Sequence, residues 1–302
     1  MRGVSNRKTL AAVSVCAGIG LHSGKRVRMV LKPAAPGTGI HFVRSDLTGD
    51  NRIAARIENV STVRLGTTIA NDSGASVATV EHLMSAFAGL GVDDAIVEID
   101  GPETPAMDGS AAPFVDLIHQ AGLKETAAPL RVIRILKPVS IEMQGRTATF
   151  LPSIKPAIDV EISFPHPSVG RQRYAFDISD AIFSEDVASA RTFGFRKDVE
   201  AMHAAGLALG GSMDNAVVID DSGVANPEGL RFADEFARHK ALDALGDLSL
   251  AGAPIFGRYF AHQPGHALNV AAVRALMADK STWKMVAYAA ADAEPEAVTL
   301  EG

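Results

Sequence analysis

A stretch in the second half of the sequence, FARHKALDALGD at 236–247, carries side chains that could bind a metal ion. If it is helical, at about 100° per residue, His239, Asp243 and Asp247 fall on one face, together with the aromatic Phe232. A neutral imidazole and a carboxylate four positions apart meet on one helical turn, and both are good zinc ligands. A helix usually turns such a stripe toward the core, so polar groups on it need a functional or structural reason.

A catalytic zinc ion usually takes three protein ligands and a water molecule, so the third ligand must come from another part of the chain. His82 in VATVEHLMSAFAGLG (77–91) is the natural candidate, because it occupies the corresponding helix of the first half. Its neighbour Glu81 could then act as a general base toward water at the metal. The extra carboxylate of Asp247 could orient a catalytic histidine.

A structural interpretation of these residues stays open at this point. A single H-x-x-x-D on a helix is more often a surface pair or a capped core histidine than a metal site. The Glu-His pair at 81–82 is not the H-E-x-x-H motif of zinc proteases, so that motif gives no support for a metal site here. Nor does GIGLHSGK (18–25) have the spacing of a phosphate-binding loop, and a turn between strands is the better interpretation.

The elements that must position these residues form two similar series. EHLMSAFAGLG precedes a strand and then DGSAAPFV, while RHKALDALGDL precedes a strand and then PGHALNVA. We therefore predict an α+β fold with two domains of related topology, each a β-sheet with helices on one face. The principal helices, the second at about 228–250, would pack between the two sheets, and the active site would lie in the interdomain cleft. The expected domains are 1–126 and 127–302, joined through a linker at 123–132.

Composition narrows the classes of protein. The 302 residues are 47% hydrophobic and 21% charged, as in globular proteins, and the net charge of −6 argues against a nucleic-acid-binding protein. Cys16 is the only cysteine, which excludes an intrachain disulfide and favours a reducing compartment. The first twenty residues lack the apolar core of a signal peptide, and no apolar run is long enough to span a membrane. The stretch ADAEPEAVTLEG (291–302) is typical of a disordered tail.

Five separated motifs together resemble one known family. They are TVEHLMSAFAGLGVDDAIVEIDGPETPAMDGSAAPFV (79–115), ARTFGF (190–195), GLALGGS (206–212), GLRFADEFARHKALDALGDL (229–248) and GHALN (265–269). Their residues and their order resemble the UDP-3-O-acyl-N-acetylglucosamine deacetylase family. The resemblance extends from about GIGLHSGK to Trp283. The resemblance implies zinc-dependent hydrolysis of the N-acetyl group of UDP-3-O-(3-hydroxyacyl)-N-acetylglucosamine, the committed step of lipid A biosynthesis in Gram-negative bacteria.

The resemblance also implies roles for individual residues. His82, His239 and Asp243 match the Zn²⁺ ligands, and Glu81 matches the general base. His266 matches a second catalytic residue that acts as a cationic acid or electrostatic partner. Further matches are Asp247, which supports that histidine, Thr192, whose hydroxyl stabilises the oxyanion, and the substrate-binding residues Lys240, Phe193, Phe195 and Gly211. The insert at about 190–225 would form the passage for the acyl chain.

From the same resemblance we expect a cytoplasmic monomer whose partner is the acylated UDP-sugar, with transient contact to the inner membrane surface and no nucleic acid. Two alternatives remain at this level. One is a zinc amidohydrolase that acts on another acylated amino sugar. The other is a non-catalytic binding protein, which the set of Glu81, His82, His239, Asp243 and His266 disfavours.

Overall fold

The structure is a computed structural model that describes residues 5–288. The helices are α1 (Glu81–Leu90), α2 (Ala112–Ala121), α3 (Asp180–Ile182), α4 (Arg196–Ala204), α5 (Glu235–Ser249) and α6 (His266–Ala278), with a 3-10 turn at Ile57–Asn59 and a π-helical turn at Phe183–Val187. Residues 1–4 of the first predicted domain and residues 289–302 of the second, which include the predicted C-terminal tail, lie outside the described residues.

The strands fall into two series along the chain. The first series is β1 (Asn6–Leu10), β2 (Ser14–Ile19), β3 (Arg26–Pro33), β4 (Ile40–Arg44), β5 (Arg52–Ala54), β6 (Val60–Thr62), β7 (Thr68–Ala70), β8 (Ser76–Val77), β9 (Ala95–Ile99) and β10 (Leu123–Pro129). The second is β11 (Arg131–Ile135), β12 (Val139–Met143), β13 (Arg146–Leu151), β14 (Ala157–Ser163), β15 (Arg171–Asp177), β16 (Phe193–Phe195), β17 (Val217–Asp220), β18 (Gly223–Val224), β19 (Ile255–Phe256), β20 (Arg258–His262) and β21 (Trp283–Ala287).

Two five-stranded sheets have the same topology. Their strand orders are β2-β3-β9-β4-β5 and β12-β13-β20-β14-β15. In both sheets the last strand in the chain takes the central place, where it runs parallel to one neighbour (β4 or β14) and antiparallel to the other (β3 or β13). The central strand lies between the sheet's principal helix and the next helix in the chain, in the orders α1-β9-α2 and α5-β20-α6. The predicted α+β class with repeated topology is therefore confirmed.

The principal helices α1 and α5 pack directly against each other, and one glycine permits the close approach. A Cβ at Gly246 on α5 would lie 2.0 Å from the carbonyl oxygen of Glu81, so no other residue fits there without a shift of the backbone. The surrounding core contains residues of both halves, among them Met84, Phe87 and Leu242. The first turn of α1 is thus held beside the middle of α5.

Two local predictions need correction. The helix expected at 228–250 begins only at Glu235, because Gly229 has a φ of +70° that a right-handed helix does not accommodate. Phe232 therefore precedes the helix, and its ring packs against the guanidinium of Arg238 instead of continuing the helical stripe. The segment proposed as a linker forms strands, since β10 pairs with β1 and β11 pairs with β19 and β21. The boundary at 126/127 remains a prediction.

Residues of the five-stranded sheets alternate between an inner and an outer face. On the inner face of the first sheet, Met29, Phe42 and Val97 are fully buried, and Phe150 and Val160 take the same position in the second sheet. The outer faces carry most of the exposed side chains of these strands. Within residues 5–288, none of the helices combines the length and apolar character that a membrane crossing would require.

Candidate active site

A cluster of two histidines and one aspartate lies where the first turn of α1 meets the middle of α5. The Nε2 atoms of His82 and His239 are 3.4 Å and 3.3 Å from Oδ1 of Asp243. One ligand atom from each residue lies within 4.8 Å of the others, and all three side chains are buried. The chain thus brings together residues that are far apart in sequence into one set of nitrogen and oxygen donors.

The donor set fits a zinc ion. Ligand atoms at about 2.0–2.1 Å from a tetrahedral zinc lie about 3.4 Å from one another, which matches the two separations between a histidine nitrogen and Asp243 Oδ1. Asp243 Oδ1 is buried without a hydrogen-bond partner among the described residues, a costly state for a carboxylate oxygen unless a cation binds it. His239 uses Nδ1 to donate a hydrogen bond to the carbonyl of Ala190 (3.0 Å), which leaves Nε2 free to face the other donors.

The electrostatics favour the protonation states that a metal needs. Burial lowers the pKa of His239 to about 3, so its imidazole is neutral at physiological pH. Burial alone would raise the pKa of Asp243, but the adjacent His239 imidazole, the Lys240 ammonium group and the hydrogen bond from His82 outweigh it and hold this pKa well below its usual value. Lys240 Nζ donates a hydrogen bond to Asp243 Oδ2 at 2.9 Å, on the oxygen that the histidines do not face. His239 and Asp243 are therefore in the deprotonated forms that can bind a metal ion.

Glu81, His266 and Asp247 form an acid-base chain beside the cluster. Glu81 Oε1 lies 3.6 Å from Nε2 of His266, whose Nδ1 lies 2.9 Å from Oδ2 of Asp247. Burial raises the pKa of Glu81, although His266 and His82 oppose the shift. Burial would lower the pKa of His266, yet the charges of Asp247 and Glu81 prevail and raise it to about 10. The site therefore holds a carboxylate that can accept a proton beside an imidazolium that can donate one.

Three residues that support this chain were not found in the sequence analysis. Thr67 donates to Asp247 Oδ1 through Oγ1 (2.6 Å) and to Glu81 Oε2 through its backbone N–H (3.0 Å). Asn269 donates to Asp247 Oδ2 at 2.9 Å and accepts a hydrogen bond from the Tyr259 hydroxyl at 2.8 Å. Tyr259 lies on β20 and Asn269 on α6, within GRYFAHQPGHALN. Their short separation of ten residues is the only sequence signal that could have indicated the pair.

The segment around Thr192 is fixed next to His239. The carbonyl of Ala190 accepts the hydrogen bond from His239, and the backbone N–H of Thr192 donates to Gly109 at 2.8 Å. Between them, the fully buried Arg191 is held by Glu235, the first residue of α5, with Nε–Oε1 at 2.9 Å. This ion pair ties the 190–195 segment to the helix that carries the proposed ligands. The oxyanion role of Thr192 remains a prediction.

The remaining predicted substrate contacts lie at different distances from the cluster. Phe193 is near it, because its ring centroid is 6.4 Å from that of His239 and 5.4 Å from Lys240 Nζ. Phe195 is on the same short strand but packs with Phe164 and His166. Gly211 lies in a turn against Leu21, in the segment 206–212 that contacts the GIGLHSGK turn. The 190–225 insert forms β16, α4, β17 and β18, and its role as an acyl passage remains a prediction.

Strained backbone surrounds the acid-base residues. Leu65, Thr79 and Gln263 adopt positive φ values of 63°, 57° and 57°, which non-glycine residues seldom do. They precede Thr67, Glu81 and His266 by two or three residues. Such strain is retained where surrounding structure imposes it, and it is common at functional sites.

A cavity of about 400 Å³ lies elsewhere in the molecule, between the C-terminal halves of α1 and α5. It is lined by apolar residues such as Phe87, Phe150 and Leu248, and none of the metal or acid-base candidates lines it. The chemistry of the side chains, and not this cavity, therefore locates the candidate active site.

Comparison with known proteins shows which family this chain resembles. A family model described as UDP-3-O-acyl N-acetylglycosamine deacetylase matches residues 7–278. Curated relatives named UDP-3-O-acyl-N-acetylglucosamine deacetylase include one from Phenylobacterium zucineum, 49% identical over 282 residues (93% of this chain and 96% of the relative). A relative from Myxococcus xanthus is 48% identical over 281 residues (93% and 89%), and one from Shewanella sp. strain ANA-3 is 44% identical over 298 residues (98% and 97%). The matched region includes every candidate site residue.

Proposed function

The chain belongs to the UDP-3-O-acyl-N-acetylglucosamine deacetylase family, and we propose from this premise that it is a zinc-dependent deacetylase of lipid A biosynthesis. It would hydrolyse the N-acetyl group of UDP-3-O-(3-hydroxyacyl)-N-acetylglucosamine and release acetate and UDP-3-O-acyl-glucosamine. The buried cluster of His82, His239 and Asp243 beside Glu81 and His266 carries this proposal. We further propose that it acts in the cytoplasm as a monomer, with Glu81 and His82 from a first domain (1–126) and the other site residues from a second (127–302).

The three clustered residues would hold the metal. When bound, Zn²⁺ supplies Lewis-acid chemistry, which polarises the acetyl carbonyl and favours the ionisation of water. Glu81 is the proton acceptor, because its Oε1 is the carboxylate oxygen that faces His266 while Oε2 is occupied by the Thr67 N–H. The hydroxyl of Thr192 would stabilise the developing oxyanion.

The leaving amine needs a proton, which His266 or the protonated Glu81 would deliver. His266 is prepared for this role because Asp247 accepts a hydrogen bond from Nδ1 and leaves Nε2 directed at Glu81. Lys240, Phe193, Phe195 and Gly211 would contact the substrate. No covalent intermediate with the protein is required.

Asp247→Asn should move the alkaline limb of the pH profile of kcat/KM to lower pH. The Asp247 charge is among the causes that raise the pKa of His266, so its removal lowers that pKa, and the imidazolium is then lost earlier as pH rises. The limb is a macroscopic property of the coupled residues and is measured on the zinc-loaded enzyme. Thr67→Val, which removes a neutral donor to the same carboxylate, serves as the control that keeps the charge. An unmoved limb in Asp247→Asn would mean that the limb does not report His266.

The proposed function is tested by deacetylation of UDP-3-O-acyl-N-acetylglucosamine substrates of graded acyl length. We expect acetate release in proportion to enzyme, with chain length changing kcat/KM, because binding energy from a remote acyl group is used in the transition state. Activity only on an acylated amino sugar that lacks the UDP group would contradict the proposed substrate. Absence of acetate release by the zinc-loaded protein would contradict the proposed function.

A further inference from the structure

The outer face of the first five-stranded sheet exposes a row of apolar side chains. Val15 and Ile19 on β2 are 47% and 45% exposed, and Val13, just before the strand, is 55% exposed. Within the strand, Val15 and Ile19 alternate with Ser14, Cys16 and Gly18, so both point to the same side of the sheet, and Val13 precedes them in the chain. Exposed apolar residues that cluster on one face and are rimmed by polar residues are candidates for a contact surface, unlike apolar residues scattered singly.

Arginines flank this apolar row. The register pairs Ile19 with Arg26 and Ala17 with Arg28, which places both arginines on the outer face. Arg52 reaches the same face from β5, through the register Val15–Val30–Glu98–Val43–Arg52 across the sheet. All three arginines are exposed, and within residues 5–288 none of their guanidinium groups forms an ion pair. We call Val15, Ile19, Arg26, Arg28 and Arg52 the basic face.

Few acidic groups offset these charges. Glu98 is on the same face but pairs with Lys32. The Asp100 carboxylate is near Arg28 and accepts a hydrogen bond from its backbone N–H at 2.7 Å. The arginines and Lys32 therefore outnumber the two carboxylates, in a protein whose net charge is −6.

The second sheet provides an internal comparison, because it has the same topology without this surface. Its outer-face arginines are all ion-paired: Arg171 with Glu161 at 2.9 Å, and Arg173 and Arg258 with Asp159 at 2.8 Å and 3.5 Å. Ion pairs thus neutralise the outer-face arginines of the second sheet, whereas Arg26, Arg28 and Arg52 on the first sheet form no ion pair within residues 5–288. The sheet architecture alone does not explain the basic face.

The basic face is continuous with the segment that we assign to the acyl chain. A Cβ at Gly210 would lie 2.9 Å from Cγ2 of Ile19, and the backbone N–H of Leu209 donates to the carbonyl of His22 at 3.2 Å. Leu209 is itself 55% exposed. An acylated substrate that enters along the 206–212 segment would therefore pass beside the apolar row.

We propose that the basic face docks this protein on a membrane surface that contains anionic phospholipids. The arginines would contact lipid phosphates, and Val13, Val15 and Ile19 would enter the interfacial region. The apolar row favours a lipid surface over a nucleic acid, whose backbone would be met by cations and not by aliphatic side chains. The proposal rests on the proposed function only for the acylated substrate, since the surface itself is independent of the chemistry.

The test is co-sedimentation with vesicles of phosphatidylcholine alone and of phosphatidylcholine with phosphatidylglycerol. We expect the wild type to bind the anionic vesicles and to be released by high salt. The triple variant Arg26→Ser, Arg28→Ser, Arg52→Ser should bind more weakly by about fivefold per arginine, hence about 10²-fold in all. The matched control is Lys137→Ser, Lys280→Ser, Lys284→Ser, which removes the same charge from exposed positions outside the face.

A second variant tests the apolar row. Val15→Ser with Ile19→Ser keeps the net charge and should still weaken binding to the anionic vesicles, because the apolar contact with the interfacial region is lost. The proposal is overturned if the wild type does not sediment with anionic vesicles, if the lysine control loses binding equally, or if the protein retains an oligonucleotide instead of vesicles. Thermal melts verify that the variants fold, and deacetylation of a water-soluble short-chain substrate, measured separately, shows whether the proposed function holds.

Discussion

Replacement of His239 by alanine should release the metal and remove deacetylase activity together. His239 and His82 each face Asp243 Oδ1, so either substitution leaves two ligands where a catalytic zinc needs three. Loss of residues that only support a ligand costs about 10–100-fold in metal affinity or activity, and loss of a ligand itself should cost at least about 100-fold. Zinc content by mass spectrometry and kcat are measured on the same preparations of His239→Ala, His82→Ala and Asp243→Ala.

The control for these variants is His119→Ala. His119 is a half-exposed histidine on α2 whose Nε2 lies 3.8 Å from Oδ1 of Asp180, and it is not part of the cluster. It should keep both zinc and activity. A chelator should inactivate the wild type, and zinc added up to equimolar amounts should restore it. Full zinc occupancy in His82→Ala would contradict the three-ligand assignment.

The metal cluster could be predicted because both kinds of evidence for it are visible in the sequence itself. The i, i+4 spacing of His239 and Asp243 on a helix is visible in the sequence, and the repeated order of elements pointed to His82 as their partner. The structure brings the three together at the contact between α1 and α5. The family indicated by the motifs is also confirmed by the match over residues 7–278.

The supporting residues could not be predicted, because their contacts depend on packing between distant segments. Thr67 and Asp247 are 180 positions apart, and no periodicity links them. Arg191 and Glu235 read as ordinary charged residues, yet their ion pair is buried and joins the 190–195 segment to α5. The start of α5 could not be predicted for the same reason. The apolar spacing extends back to Phe232, but the positive φ of Gly229 and a backbone hydrogen bond to the Glu235 carboxylate form a turn before the helix.

Glu81→Ala should keep its zinc and lose about 10²–10⁴ in kcat, the usual contribution of a positioned general base. Glu81 is not one of the three clustered donors, and its carboxylate faces His266 Nε2 at 3.6 Å, so its removal leaves the metal ligands in place. Glu81→Gln is the conservative partner variant, because it keeps the hydrogen bond from the Thr67 N–H but cannot accept a proton. Both variants are compared with the wild type in kcat, KM and zinc content.

His266→Ala separates the two acid-base roles. It should also keep zinc and lose a comparable factor in kcat, but it should flatten the alkaline limb of the pH profile, whereas Glu81→Gln should leave that limb and abolish the acidic one. The acidic limb belongs to the base because Glu81 must be ionised to accept a proton, and burial raises its pKa toward the working range. If Glu81→Ala with zinc bound turned over at nearly the wild-type rate, water activation by this carboxylate would be wrong. His266 would then have to act as the base, and the charge of Asp247 would serve to stabilise the imidazolium that forms during the reaction.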